Sequence, residues 1–315
     1  MYKARIRKTQ KIVEAEDLKV IPEVNELDFA CVDKDCDIDL IPCSYGKFNK
    51  VRPYFKKNKG VEHSSNCEYS KLLKYLNIGK NRQITDDEFS RFDYPSKLIE
   101  KQKKILSTDT STSDDLSPNT GRAMKTIMSG EFDSVMPSNK HVTSINLIID
   151  FFISCPYNRD VYLKLLSKEG TYRHLFKSIF GESKGQYESG KIFHGVLYPN
   201  SKKSIRHEDQ FVFFQLLSCE RWEVDFSGKN QVNPYWVKLN KNHLSKTKLN
   251  RILEDRQTVN NQSNLDYKEK KKNKETNAYV FFLGNAPTYK EPYIFEVVDD
   301  YISFRYTQVN HPDDE

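Results

Sequence analysis

The chain has 315 residues, a formal net charge of +6 and a hydrophobic share of 37%, and 12% of its residues are aromatic. Ordinary globular domains carry about 45–50% apolar residues, so a lean, ring-rich core is expected, and a helical repeat array or long coiled coil is not. No run approaches the roughly 18 apolar residues of a membrane helix, no apolar stretch follows the charged start as in a secretory signal, and six cysteines are too few for a disulfide framework; the reading is a cytoplasmic protein with no membrane contact.

Residues 1–80 read as a small β-rich module. Tyr2 to Lys8 alternates like a strand, Lys19 to Pro22 reads as another, and Phe29–Cys31, Ile38–Cys43 and Val51–Phe55 are short strands between turn-like stretches. Beyond Cys67, Tyr69, Leu72, Leu73, Tyr75 and Leu76 fall at helical spacings, with Gly79 as the stop. Residues 81–137 read as a flexible linker. The Ser, Thr and Asp run at 107–115 and the Pro118 to Gly121 turn cannot bury enough apolar surface to offset the entropy of ordering. Residues 138–315 read as an α+β domain. Helices are expected over Ser144–Ile153, Val161–Leu166 and Tyr172–Phe180. Strands follow over Lys191–Tyr198, Phe211–Cys219, Tyr235–Leu239, Tyr279–Leu283, Tyr293–Val298 and Tyr301–Thr307, forming a mostly antiparallel sheet or small barrel. A basic segment, 241–276, interrupts them as a long surface loop with one short helix at Lys248–Leu253.

The strongest chemical signal is the pair Cys31 and Cys36 followed, after 26 intervening residues, by the pair His63 and Cys67. Two close ligand pairs around a strand-rich spacer are how tetrahedral zinc (Zn2+) sites are built, and a closed set of three thiolates and one imidazole is structural. Such a site replaces core that so small a module lacks. Cys43 is a competing ligand, although its place in a strand better suits a small apolar role.

The run Phe29-Ala30-Cys31, Cys36, Pro42, Lys50 to Phe55 and His63 to Cys67 resembles the N-terminal zinc module of the bacterial competence protein CoiA-like family. The resemblance covers about 60 residues. It implies DNA handling, as CoiA-like proteins usually carry a restriction-nuclease-like domain after this module. No Pro-Asp followed by Glu-x-Lys on a strand pair occurs here, so nuclease activity does not carry over.

Around the proposed hairpin, Lys47, Lys50, Arg52, Lys56, Lys57 and Lys59 interleave with Tyr45, Phe48, Tyr54 and Phe55, and a second basic run holds Lys270, Lys271 and Lys272. Cations neutralise phosphates and ring faces stack on bases, so Lys47, Lys50, Arg52, Tyr54, Lys56, Lys57, Lys270, Lys271 and Lys272 are the candidate nucleic-acid contacts. The plainer reading is a solvated edge whose lysines prevent aggregation, and Asp33, Asp35, Asp37 and Asp39 weigh against a basic face. His194 and His207 lack the His-x-Thr or His-x-Ser pattern of a two-histidine phosphoesterase. Leu283 to Pro287 is a single-glycine turn rather than a phosphate-cradling loop. Tyr301, Ser303 and Arg305 share one strand face, which is either core or a surface able to take a nucleic-acid strand.

No catalytic motif is legible. The leading reading is a bacterial nucleic-acid-binding protein with a structural zinc module, in DNA uptake or phage defence, taking DNA rather than RNA and a second protein from the same locus as partners. A metal-dependent nuclease and a protein-interaction adaptor are the alternatives.

Overall fold

The alternation at the start of the chain builds a five-stranded sheet around a small core. The computed structural model describes residues 1, 3–46, 49, 53–89, 94–100, 140–142, 144–180, 187–199, 204–224, 230–268 and 276–309, apart from isolated positions. Strands β1 (Lys3–Ile6), β2 (Ile12–Glu14), β3 (Phe29–Ala30), β4 (Asp39–Cys43) and β5 (Tyr54–Lys57) pair antiparallel in the order β2-β1-β3-β4-β5. Ala4, Ile6, Val13, Phe29, Leu40 and Phe55 turn inward against Leu18 and Val24, with the Phe29 and Phe55 rings 5.2 Å apart. The amino terminus donates to the Phe55 carbonyl at 2.7 Å and closes the sheet against its last strand.

Helix α1 (Glu68–Gly79) leads out of this module into a second core, where Tyr75, Leu76 and Ile78 pack. In the stretch expected to begin the linker, Ile84, Phe89 at the end of α2 (Asp86–Phe89), Tyr94, and Leu98 of β6 (Pro95–Leu98) are instead buried in that core. Residues 101–137, with the Ser, Thr and Asp run, lie outside the described residues. Strand β7 (Lys140–Val142) and α3 (Ile145–Ser154) follow, and the Ser144 hydroxyl caps α3 by accepting from the Asn146 N–H. The expected helix at 161–166 does not form, and the one at 172–180 lasts a single turn before a strand replaces it. Their place is taken by β8 (Tyr162–Lys164), β9 (Glu169–Thr171), the single turn α4 (Tyr172–Leu175) and β10 (Phe176–Ser178). Short apolar runs fit either period, and pairing decides: β8 joins β6 and β9 in a sheet of order β7-β6-β8-β9.

The third sheet holds β10, β11 (Lys191–Val196), β12 (Ile205–His207), β13 (Phe211–Val224), β14 (Asn230–Asn240), β15 (Asn277–Asn285) and β16 (Ile294–Thr307). Their order is β10-β11-β15-β16-β14-β13-β12, antiparallel except for β10 with β11 and β14 with β16. The fold is α+β as expected, and the sheet is not closed into a barrel. Val212, Phe214 and Leu216 of β13 and Tyr235, Val237 and Leu239 of β14 face the core, covered by Ile252 and Val259 of α5 (Lys246–Lys268). The basic segment is therefore no loop through residue 268. Its helix is wedged between this sheet and the first module, with Arg251 on Asp17 at 3.0 Å and Lys19 on Asp255 at 3.4 Å. Lys270, Lys271 and Lys272 lie outside the described residues.

Candidate metal centre

Four side chains far apart in sequence meet at one end of the N-terminal sheet. Cys31 follows β3 directly, and its N–H donates to the Ile38 carbonyl at 2.9 Å. Between them the chain turns tightly: the Cys36 and Asp37 N–H groups both donate to the Asp33 carbonyl, at 3.3 and 3.2 Å. Asp37 sits at φ 39°, in the left-handed region that Asp tolerates better than most residues. His63 comes from the segment after β5, and Cys67 is the N-cap residue of α1.

All four ligand atoms lie within 4.8 Å of one another. Cys31 Sγ is 3.7 Å from Cys67 Sγ, and His63 Nδ1 is 3.2 Å from Cys36 Sγ and 3.5 Å from Cys67 Sγ. Bonds of about 2.3 Å to sulfur and 2.0–2.1 Å to nitrogen place tetrahedral ligand atoms about 3.5–3.8 Å apart. Cys31, Cys36, His63 and Cys67 can therefore hold one metal ion. Cys43, the competing ligand, lies outside the cluster, half-buried at the end of β4 with its thiol toward the Ile41 carbonyl.

The local electrostatics suit a cation. Burial pushes the Cys31 thiol up to about 12. Burial, then the Lys57 cation, holds the His63 imidazole below its ordinary value, in the neutral form that ligates. At Cys67 burial again raises the thiol, opposed by the Ser70 and Tyr69 N–H groups of the first helical turn. Burial acts to raise the Cys36 thiol too, but backbone N–H groups of Ser64 and Ile38 and the neighbouring thiols bring it below its ordinary value. A bound divalent cation offsets the cost of burying thiolate at all three sulfurs.

Two arginines that the motif does not contain secure the cysteine turn. Arg5 reaches Asp37 at 2.5 Å, while Arg7 holds Asp37 at 2.8 Å and Asp39 at 2.7 Å. Asp37 and Asp39, just after Cys36, are thus neutralised by Arg5 of β1 and by Arg7 just beyond it. The signal was present in the alternation of Arg5 and Arg7 on one strand face, but only the β1–β3 pairing brings that face to the turn.

Of the candidate nucleic-acid contacts, Tyr54 and Lys56 are exposed on the outer face of β5, beside exposed Ile41 on β4. Lys57 points the other way and pairs with Glu62. Lys47, Lys50 and Arg52 lie outside the described residues. In the C-terminal part, His194 is buried and stacks on Phe281 at 5.3 Å as a core residue, and His207 is exposed. The Tyr301, Ser303 and Arg305 face is core: the Ser303 hydroxyl donates to Asn146 at 2.6 Å and Arg305 pairs with Asp150 at 2.9 Å, both on α3. It is closed to a nucleic-acid strand.

No known family model, curated protein or solved structure matches this chain.

Proposed function

We propose that this protein binds nucleic acid through an N-terminal module held in shape by a structural zinc ion. Three sulfurs and one imidazole nitrogen at tetrahedral spacing favour zinc over oxygen-seeking metals, and a set of four protein ligands leaves no coordination position for a substrate. The observation that carries the binding reading is the outer face of β5. Tyr54 offers an exposed ring and Lys56 an exposed cation two residues apart, on the strand that leads to the His63 ligand. A DNA-uptake or phage-defence setting in the cytoplasm, with DNA as the ligand, rests on the resemblance of the Phe29–Cys67 run to the CoiA-like module.

The test is fluorescence anisotropy with labelled single- and double-stranded oligonucleotides across a salt series. The expected result is affinity that falls with salt, with a log–log slope of about −0.7 per phosphate contact on a single strand. Lys56→Glu and Tyr54→Ala weaken binding, and a zinc chelator abolishes the module's contribution. A protein that binds no oligonucleotide at low salt is instead an adaptor, with exposed Ile41 and Tyr54 beside the β5 edge as its docking surface. Mg2+-dependent cleavage of the oligonucleotides would make it a nuclease.

A further inference from the structure

The connectivity of the C-terminal sheet and the chemistry of its outer face coincide. Among β11, β13, β14, β15 and β16, neighbours run β11-β15-β16-β14-β13, with β14 and β16 parallel and the other pairs antiparallel. A bridge between Leu197 and Leu216, and the Tyr198 N–H donating to the Gln215 carbonyl at 3.0 Å, bring the end of β11 back beside β13. Helix α5 lies between the third and fourth of these strands. This is the connectivity of the OB-fold, a partly open five-stranded Greek-key barrel whose second and third strands, with the loops joining strands one to two and four to five, form a ligand surface. Connectivity assigns no ligand by itself; the side chains must.

Here β13 and β14 are the second and third strands. Their inward residues are apolar, whereas the outward positions hold Phe211, Phe213, Trp236 and Lys238, with Arg206 of β12 paired opposite Phe213. The Arg206 guanidinium lies 4.1 Å from the Phe213 ring centre and 5.3 Å from that of Trp236. The Lys238 ammonium lies 4.5 Å from the Phe211 ring, and the Phe211 and Phe213 centroids are 6.3 Å apart. Cations and rings therefore alternate across the face. Beside them opens a groove of about 260 Å³, lined by Arg206, Pro234 and Trp236 on one side and by Lys290 and Tyr293, from the segment joining β15 to β16, on the other. Glu208 on Arg206 and Glu291 on Lys238 are the acids that pair with these cations.

We propose that this face binds single-stranded nucleic acid, with bases stacked on Trp236, Phe211 and Phe213 and phosphates on Arg206, Lys238 and Lys290. Ring faces attract cations and stack on bases by the same π surface, so a guanidinium that leaves Phe213 for a phosphate uncovers a platform for a base. Phe213 is 3% exposed beneath its neighbours, which makes that exchange the step that opens the site. A duplex keeps its base faces stacked inside and cannot use the rings in this way. The proposal rests on the nucleic-acid reading but lies on a surface separate from Tyr54 and Lys56, so the two can fail independently.

The test uses the full chain and a labelled 15-nucleotide oligo(dT) and oligo(U), with a duplex of the same length. Trp236→Ala and Phe211→Ala are expected to weaken single-strand binding about tenfold each and to affect the duplex less. Tyr267→Ala, at an exposed ring of α5, leaves binding unchanged, and circular dichroism confirms that all variants are folded. In a Trp222→Phe background Trp236 is the one remaining indole, and its emission is quenched as single strand is added. If Trp236→Ala and Phe211→Ala bind within twofold of the parent while Lys56→Glu loses binding, this face is wrong and the zinc-module reading stands. If the parent binds no oligonucleotide, or an oligosaccharide or proline-rich peptide alone quenches Trp236, the proposal is overturned.

Discussion

At the residue scale, the cysteines divide by environment. Cys31, Cys36 and Cys67 converge with His63, whereas Cys155 is fully buried against apolar neighbours and its thiol is raised to about 12 by desolvation, so it stays protonated and inert. Metal analysis of the purified protein is expected to find one zinc per chain, well under one in Cys67→Ser and an unchanged content in Cys155→Ser. Asp37 gives a second check. Hydrogen bonds from Arg7 and then Arg5 hold its carboxyl below the ordinary 3.8. A depressed carboxylate adds stability that is present above the unfolded value and lost as pH falls through the folded one. The contribution is small at so exposed a site, but the titration itself is readable. Arg7→Ala is expected to move the Asp37 midpoint up toward 3.8 in a carboxyl NMR titration; an unmoved midpoint would show that the arginine clamp does not form in solution.

At the element scale, α1 and α3 approach at a point that admits no side chain. A Cβ on Gly79 would lie 2.5 Å from the Cys155 sulfur and 3.1 Å from its Cβ. Gly79→Ala should therefore destabilise the protein by about 1–3 kcal/mol through overpacking. Combined with Cys155→Ala, which removes the sulfur, the loss should be smaller than the sum of the two single losses in denaturant unfolding. Strict additivity would place the helices further apart. The Gly79 stop was legible as a helix end, but its role as a contact was not. The same scale explains why the sequence predicts a loop with only a short helix at Lys248–Leu253 where the 23-residue α5 forms. Its core-facing stripe of Leu249, Ile252, Leu253 and Val259 is interrupted by Arg256 and Asn260, both buried, with Arg256 donating to the Ser204 hydroxyl at 2.5 Å. A helix that buries polar groups shows little amphipathic signal.

At the scale of the whole molecule, the chain is not a zinc module tied to a distant domain. Helix α1 starts at Cys67 of the candidate metal cluster and ends in the second core, and β6 sits between β7 and β8 although residues 99–139 separate it from β7 in sequence. A protease site engineered into 107–121 is therefore expected to leave two pieces that co-elute in size-exclusion chromatography without denaturant. Separate elution, with a stable fragment from about residue 138 onward, would restore the division into independent units. Asp17, Lys19, Arg251 and Asp255 add ion pairs between the first module and α5.

The sequence alone determined which Cys and His side chains gather into a cluster able to hold a metal ion, and the α+β class. Both follow from local rules: thiolate and imidazole spacing for the first, and runs of alternating apolar residues for the second. The strands of the last sheet were legible for the same reason, since each carries its period of two within a few residues. Tertiary structure alone decided what those strands face. Tyr301, Ser303 and Arg305 became core because α3 supplied Asn146 and Asp150, while Phe211 and Trp236 of equally apolar strands stayed half-buried on the opposite face. A strand pattern specifies two faces but not which neighbour covers either one. That choice is made by pairings between residues a hundred or more positions apart, whose closure no local period encodes.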